Sequence, residues 1–247
     1  MKLIHTLAAA VTVGVLAAAP ARASTVTMST FQIVPVPAQT VTNVQVTGPS
    51  SVSWPAINAG LFKLNLSAPS PIFNNAAVVY GFCIDLFHPI QNNTIYSVNP
   101  LAAAGDNTPG APPVHYPLSV TQLKQINWLT LEATKEAVLN TLTPAESAAY
   151  QIKVWQVAYG SAFSYTSAPP AVGAALTAIS AALAAADLSS VGIPWGLTAV
   201  DNRGVAIGRQ GLVVGNPEPV AEPASLALLG AGLLGLGFAA RRRPTVH

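Results

Sequence analysis

Cysteine is almost absent from this chain, because Cys83 is the single cysteine among 247 residues. A lone cysteine excludes an intramolecular disulfide, so its presence in an exported protein would need another explanation. The four histidines are scattered, and His5 and His247 lie near the two ends of the chain. This arrangement predicts no metal site, because a metal ion needs several ligands held together.

Charged side chains are also scarce, at 8% of all residues. The formal net charge is +2, but between residues 24 and 217 six basic residues face seven acidic ones, a net charge of −1. That part of the chain therefore lacks the basic patch that nucleic-acid binding requires. It also carries no phosphate loop, dinucleotide fingerprint or heptad run, and we expect no cofactor.

The N-terminus has the pattern of a secretory signal peptide. Lys2 precedes an apolar run over residues 7–19, and Ala21 and Ala23 form a small-residue cleavage site before Ser24. A positive start, a short apolar segment and this cleavage box together indicate export. We predict a signal peptide over residues 1–23 and a mature chain that begins at Ser24.

The C-terminus has the pattern of a membrane anchor. A stiff segment rich in proline and glutamate covers residues 216–223, and an uncharged run of 17 residues follows at 224–240. Arg241, Arg242 and Arg243 come directly after it. Because arginines beside a span stay in the cytoplasm, we predict a transmembrane helix over 224–240, a basic cytoplasmic tail over 241–247 and a body that faces outward.

These C-terminal residues resemble the PEP-CTERM sorting signal of Gram-negative, exopolysaccharide-making bacteria. The resemblance rests on Pro217, Glu218 and Pro219, on the glycine-rich span and on the three arginines. A second element, Glu222-Pro223, lies directly before the span, with Ala221 where the first proline is expected. The resemblance implies processing by an exosortase, anchoring in the inner membrane facing the periplasm, and then release to the cell surface or extracellular matrix.

Residues 24–215 predict one α+β domain, an antiparallel β-sandwich or barrel with an inserted helical segment. Alternating or apolar runs predict strands over 41–47, 61–66, 76–86, 197–200 and 211–214, and residues 91–116 are predicted as loop. Capping-box patterns at Ser119 and Thr143 and the Pro169-Pro170 pair predict three helices. The second of these covers 144–159, and the third ends near Asp187.

Cys83 and Gln151 are the candidate site residues. Cys83 lies near the end of the predicted central strand, and Gln151 lies on the second helix, one turn from Trp155. A thiolate can attack a glutamine carboxamide and expel ammonia, which leaves an internal thioester. This reaction needs the two groups in contact, little water, an oxyanion donor and an acid–base group, and Asp85 could assist the departure of ammonia.

The segments around both residues resemble the Cys-Gln thioester domains of bacterial surface adhesins. The matching residues are Phe82-Cys83-Ile84 and Gln151-Ile152-Lys153-Val154-Trp155, although Lys153 stands where that family prefers a small residue. The resemblance extends over about residues 59–214. It implies covalent attachment to amine or hydroxyl nucleophiles through Cys83 and Gln151, with Trp155 covering the bond.

Two other interpretations stay open on the residues themselves. Cys83 could be a buried packing residue in a non-reactive carbohydrate-binding or structural module associated with exopolysaccharide. A cysteine hydrolase would need His88 or His115 as base, with Asp85, Asp106 or Asn107 to orient it. Both histidines are predicted to lie in loops without a local signature, so we expect a surface protein that is not an enzyme.

Overall fold

The computed structural model describes residues 24–47, 51–106 and 114–216. The predicted signal peptide with Ala21 and Ala23, the linker from Pro217 onward, the predicted anchor and the three arginines lie outside the described residues. Within the described ranges, no helix combines the length and the apolar character needed to cross a membrane.

The described chain contains nine strands and three α-helices. The strands are β1 (Ser24–Val46), β2 (Val52–Ser70), β3 (Ala76–Cys83), β4 (Thr94–Pro100), β5 (Ala103–Asp106), β6 (Val114–Pro117), β7 (Phe163–Ser164), β8 (Trp195–Val200) and β9 (Leu212–Val214). The helices are α1 (Val120–Val138), α2 (Pro144–Tyr159) and α3 (Pro170–Ala185).

Six antiparallel strands form a closed ring. The sheet order is β2-β3-β9-β8-β4-β1, and β1 also pairs with β2, so the pairings return to their starting point. The strand β7 extends the far end of β1, while β5 and β6 form a separate hairpin. The predicted α+β class, with antiparallel strands before and after a helical segment, is therefore confirmed.

The helix signals in the sequence correspond to real helix starts. The side chains of Ser119 and Thr143 each accept a hydrogen bond from the backbone three residues later, and Gln122 and Glu146 return the bond. These reciprocal bonds satisfy N–H groups that a helix start otherwise leaves unpaired. The predicted range of α2 is confirmed, and α3 ends at Ala185, two residues before the predicted position.

Helix α2 is fixed against the strands by a buried serine. The Ser147 hydroxyl donates to the Val34 carbonyl oxygen at 2.6 Å and accepts from the Leu61 N–H at 2.8 Å. Val34 and Leu61 are paired residues of β1 and β2, so one side chain joins the helix to both strands. This contact positions the helix face that carries Gln151.

The prediction of a loop over residues 91–116 is wrong. Strand β4 occupies residues 94–100, and its buried residues Thr94, Tyr96 and Val98 alternate with partly exposed ones. The hairpin of β5 and β6 follows, and His115 therefore belongs to a strand and not to a loop. Asn92 and Asn93 lie just before β4, and Asn99 and Pro100 are its last two residues, so these residue types lie at the ends of this strand, where proline is tolerated.

The central strand is shorter than predicted, because β3 ends at Cys83 and not at residue 86. Beyond it the Asp85 carboxylate accepts a hydrogen bond from the Phe87 N–H at 2.7 Å. A carboxylate that binds the backbone two residues later stabilises a turn in place of an extended strand. Cys83 is consequently held by the sheet on one side and by this turn on the other.

Candidate functional site

Cys83 is the last residue of β3 and is almost fully buried, with 2% of its surface exposed. It pairs with Leu212 of β9, and the next residue, Ile84, donates its N–H to the Gly211 carbonyl oxygen at 3.1 Å. The backbone around the thiol is therefore held in the sheet and has little freedom to move. That rigidity is what a positioned reactive group needs.

The carboxamide of Gln151 binds directly to the backbone of Cys83. The Cys83 N–H donates to Gln151 Oε1 at 2.9 Å, and Gln151 Nε2 donates to the Cys83 carbonyl oxygen at 2.9 Å. Gln151 is 1% exposed. The fold thus brings together two predicted site residues that are 68 positions apart in the sequence.

Two groups contact the sulfur of Cys83. The thiol donates to the Asp85 carbonyl oxygen at 2.9 Å, and Gln210 Nε2 lies 2.6 Å from Sγ. Gln210 Nε2 also donates to the Asp85 carbonyl oxygen at 3.2 Å. Because that carbonyl only accepts, this bond assigns the amide nitrogen of Gln210 to the side that faces the sulfur.

Gln210 was not among the residues predicted for the site. It lies on the connection between β8 and β9, just before the paired residue Leu212, and belongs to no motif. Its position just before a predicted strand was the one signal that the sequence offered. The spacing of motifs could not predict that the β8–β9 connection passes next to the Cys83 sulfur.

Asp85 and His88 form a buried pair next to the thiol. Asp85 Oδ2 lies 2.8 Å from His88 Nδ1, and the Gly211 N–H donates to the same oxygen at 3.4 Å. The Asp85 side chain is 1% exposed and that of His88 is 14% exposed. Burial raises the pKa of the Asp85 carboxyl, and the bond and charge of His88 act against that rise.

Burial favours the protonated form of the Cys83 thiol. Burial raises its pKa well above the ordinary value, and the charge of Asp85 raises it further. The bond to the Asp85 backbone and the indole of Trp155 act in the opposite direction. Any reaction of the sulfur therefore requires a base that removes the proton at the time of attack.

A cavity of about 350 Å³ opens over the thiol. It reaches Cys83, Gln151, His88 and Gln210, and its walls are otherwise mostly apolar and aromatic, with Phe31, Ile33, Trp54, Ile57, Phe62 and Trp155 among them. A mostly apolar cavity with a few converging polar groups is typical of a site for a small molecule.

Two buried polar atoms in the walls of this cavity have no hydrogen-bond partner among the described residues: Trp155 Nε1 and Gln210 Oε1. The indole N–H acts on the thiol, whose pKa it lowers, without meeting the geometry of a hydrogen bond. Unpaired buried groups are costly, so they mark positions where a bound molecule or a reaction intermediate would be stabilised.

The other predicted residues lie in different places. Trp155 is 2% exposed and lines the cavity, while Lys153 is half-buried on the same helix. Asp106 and His115 belong to β5 and β6, and Asn107 lies outside the described residues. Across the part of the chain that the structure describes, no group of three His, Cys, Asp or Glu side chains could hold a metal ion.

Comparison with known families identifies one feature of the chain. The PEP-CTERM protein-sorting motif matches residues 219–243. The match includes Glu222, Pro223 and the three arginines and leaves out Pro217 and Glu218, which favours the element directly before the apolar run. No curated protein and no solved structure matches the chain, so the resemblance to thioester domains has no support from these comparisons. The sorting motif supports a PEP-CTERM protein, an exported precursor anchored at its C-terminus and processed by an exosortase.

Proposed function

We propose that this chain is an exported, exosortase-processed surface or matrix protein whose domain forms an internal thioester between Cys83 and Gln151. The observation that carries the proposal is the pairing of the Gln151 carboxamide with both backbone polar groups of Cys83. The amide that would be attacked is thus bound to the same residue that carries the attacking sulfur. The thioester would then couple the protein to an amine or hydroxyl on another molecule.

Proximity favours the reaction, because the Gln151 carboxamide is bound to the backbone of the residue that carries the thiol. Holding reactants side by side converts an encounter in solution into a step within one molecule, which lowers the barrier by roughly 7–11 kcal/mol in the best cases. Burial of Cys83 and Gln151 also keeps water away, so that a thioester at this position would hydrolyse slowly.

The proposed step balances without an oxidant. The Cys83 sulfur attacks the carboxamide carbon of Gln151, a carbon–sulfur bond forms, and the carbon–nitrogen bond breaks. The thiol proton ends on the departing nitrogen, which leaves as ammonia. The proton must therefore travel from the sulfur to Gln151 Nε2 during the reaction.

The surroundings of the carboxamide contain donors for the developing oxyanion. The Cys83 N–H already donates to Gln151 Oε1, and the Trp155 indole N–H is buried beside the thiol without an acceptor in the described part of the chain. Donors that are positioned before the reaction stabilise the charge that appears on the oxygen. The Asp85 carbonyl oxygen accepts from the thiol at 2.9 Å and so orients the sulfur.

A non-reactive module is the competing function, and the same hydrogen bonds provide its argument. The Gln151 carboxamide pairs with both backbone polar groups of Cys83, and burial favours the protonated thiol by raising its pKa. In that case the glutamine would serve only to join α2 to β3, and the cavity would hold a ligand such as a carbohydrate without reacting with it.

The intact mass of the folded protein separates these two functions. A thioester lowers the mass by about 17 Da, the mass of one ammonia, and makes Cys83 inert to alkylation. The loss should be absent in Cys83→Ala and Gln151→Ala and should persist in Gln156→Ala, a half-buried glutamine of the same helix. Full mass and an alkylatable thiol in freshly purified wild-type protein would support the non-reactive module.

A further inference from the structure

The cavity contains an acceptor and a titratable group besides Cys83, Gln151 and Trp155. Gln210 Oε1 is buried without a partner among the described residues, and His88 lines the same cavity with its Nδ1 bound to Asp85. Gln210 contacts the sulfur directly, whereas His88 is connected to it through Asp85. Gln210 binds the sulfur and the Asp85 carbonyl, and His88 binds the Asp85 carboxylate.

We propose that His88, oriented by Asp85, is the acid–base catalyst at Cys83, and that Gln210 positions both the sulfur and the nucleophile that enters the cavity. This inference rests on the proposed thioester. Asp85 fixes the orientation of the ring through Nδ1, and proton exchange with a bound molecule would pass through the imidazole, directly or through one water. Oε1 of Gln210 would accept a hydrogen bond from the N–H of an incoming amine.

Coupling through the thioester requires a group that takes a proton from the amine and gives one to the sulfur. An amine attacks the thioester carbonyl, a carbon–nitrogen bond forms and the carbon–sulfur bond breaks. The amine proton passes to His88 and then to the departing sulfur, which regenerates the Cys83 thiol. Formation of the thioester is the same path in reverse with ammonia as the departing amine, so one group serves both directions.

The groups around this cluster come from several elements. Tyr159 on α2 and Tyr96 on β4 lie near Cys83 and Asp85, and Arg209 on the β8–β9 connection lies near Tyr96. Asp85, in the turn after β3, contacts the imidazole of His88 directly, at 2.8 Å. A buried carboxylate at that distance orients the ring.

Aminolysis of the thioester by methylamine tests the proposal. Intact mass follows the single turnover from pH 5 to 9 in the wild-type protein and in His88→Gln and Gln210→Ala. We expect His88→Gln to slow both formation and aminolysis of the thioester, aminolysis by about 100-fold, the lower range for general acid–base groups, and to change the pH dependence of the rate. Gln210→Ala should slow aminolysis at all pH values and retain the pH dependence of the wild-type protein. A rate and pH profile unchanged in His88→Gln would overturn the assignment.

A second measurement is independent of the thioester. In a Gln151→Ala background the thioester cannot form, and the alkylation of Cys83 by iodoacetamide reports how readily the thiol loses its proton. Adding His88→Gln should lower the alkylation rate at pH 7 by about tenfold or more, whereas adding Gln156→Ala should leave it unchanged. Equal alkylation rates at pH 7 in Gln151→Ala with and without His88→Gln would refute the role of His88.

The two experiments distinguish failure of the inference from failure of the proposed function. If the wild-type protein has its full mass, without loss of ammonia, and the alkylation rate depends on His88, the thioester is rejected and His88 is retained as the base for the thiol. A 17 Da loss, about one ammonia, with pH profiles insensitive to His88 would retain the thioester and reject this inference. Circular dichroism of each variant shows whether a lost rate comes from unfolding.

Discussion

Gln151 on α2 and Cys83 at the end of β3 exchange two hydrogen bonds of 2.9 Å, one in each direction between the carboxamide and the backbone. This is the way two residues of a strand ladder pair, but here a side chain occupies the position of the neighbouring strand. The helix is therefore joined to the sheet through the very group that the proposed reaction consumes.

Gln151→Ala should destabilise the fold, because it leaves a buried N–H and a buried carbonyl of Cys83 without partners. Each unpaired buried group costs roughly 1–3 kcal/mol, so we expect the free energy of unfolding to fall by about 2–4 kcal/mol. Urea unfolding measures the change, with Gln156→Ala as the control. Equal midpoints for the two variants would show that the paired bonds contribute little to stability.

Gly81→Ala tests the close contact between β3 and β9. A Cβ atom at this position would lie 2.5 Å from the Val213 carbonyl oxygen and 3.1 Å from Val214 Cγ2. Because the first of these atoms belongs to the backbone, the sheet itself must shift, and we expect a loss of about 2–3 kcal/mol.

Gly173→Ala is the matched control for that substitution. Gly173 lies on α3, where a Cβ atom would meet no heavy atom within 4 Å. Alanine should stabilise this helix by about 0.5–1 kcal/mol. Chemical unfolding of both variants gives the sign of the change in the free energy of unfolding. A Gly81→Ala variant as stable as the wild-type protein would contradict the close approach of β3 and β9.

Two buried tyrosines should respond in opposite ways to loss of the hydroxyl. The Tyr159 hydroxyl donates to the Ile84 carbonyl oxygen at 2.7 Å, and the Leu86 N–H lies 3.4 Å away. The Tyr96 hydroxyl is buried without a partner within the described ranges. We expect Tyr159→Phe to lower the free energy of unfolding by about 1–3 kcal/mol, and Tyr96→Phe to be neutral or stabilising by up to about 1 kcal/mol.

Thermal or urea unfolding of the two phenylalanine variants checks this difference. A destabilised Tyr96→Phe would show that the hydroxyl has a partner in solution, such as an ordered water. A neutral Tyr159→Phe would show that the turn after Cys83 is held by Asp85 alone.

The domain should lose stability in alkaline solution. Burial raises the pKa of Tyr96, Tyr150 and Tyr159, and it raises the pKa of Cys83. A group whose pKa is raised by folding contributes its full stabilisation below the pKa of the unfolded chain and loses it as pH increases. The unfolded values are about 8.5 for cysteine and about 10 for tyrosine, so stability should fall from about pH 8.5 and more steeply above about pH 10.

Urea midpoints between pH 7 and 11 measure this effect. Tyrosinate absorbance should appear together with unfolding, because the buried hydroxyls ionise only when they reach water. Tyr96→Phe should flatten the slope above pH 10, since one of the shifted groups is removed. Ionisation of these tyrosines in the folded state, well before unfolding, would contradict the predicted coupling.

Local sequence patterns were enough to predict the α+β class of the domain and its three α-helices. Capping boxes at Ser119 and Thr143 are local signals, because the residues that satisfy a helix start lie within one turn of it. The sorting signal is local as well, and for that reason the motif at residues 219–243 could be identified without a fold. The alternation in β4 was also present in the sequence, but the asparagines and prolines around it concealed it.

The tertiary structure alone decided the closed ring of strands and the composition of the site. Strand pairing joins residues that are distant in sequence, and local patterns carry no information on which strands become neighbours. The contact of Gln151 with the Cys83 backbone depends on how α2 crosses the sheet, and the contact of Gln210 with the sulfur depends on a connection without a motif. The sequence contained the candidate pair, but only packing could show which groups surround it.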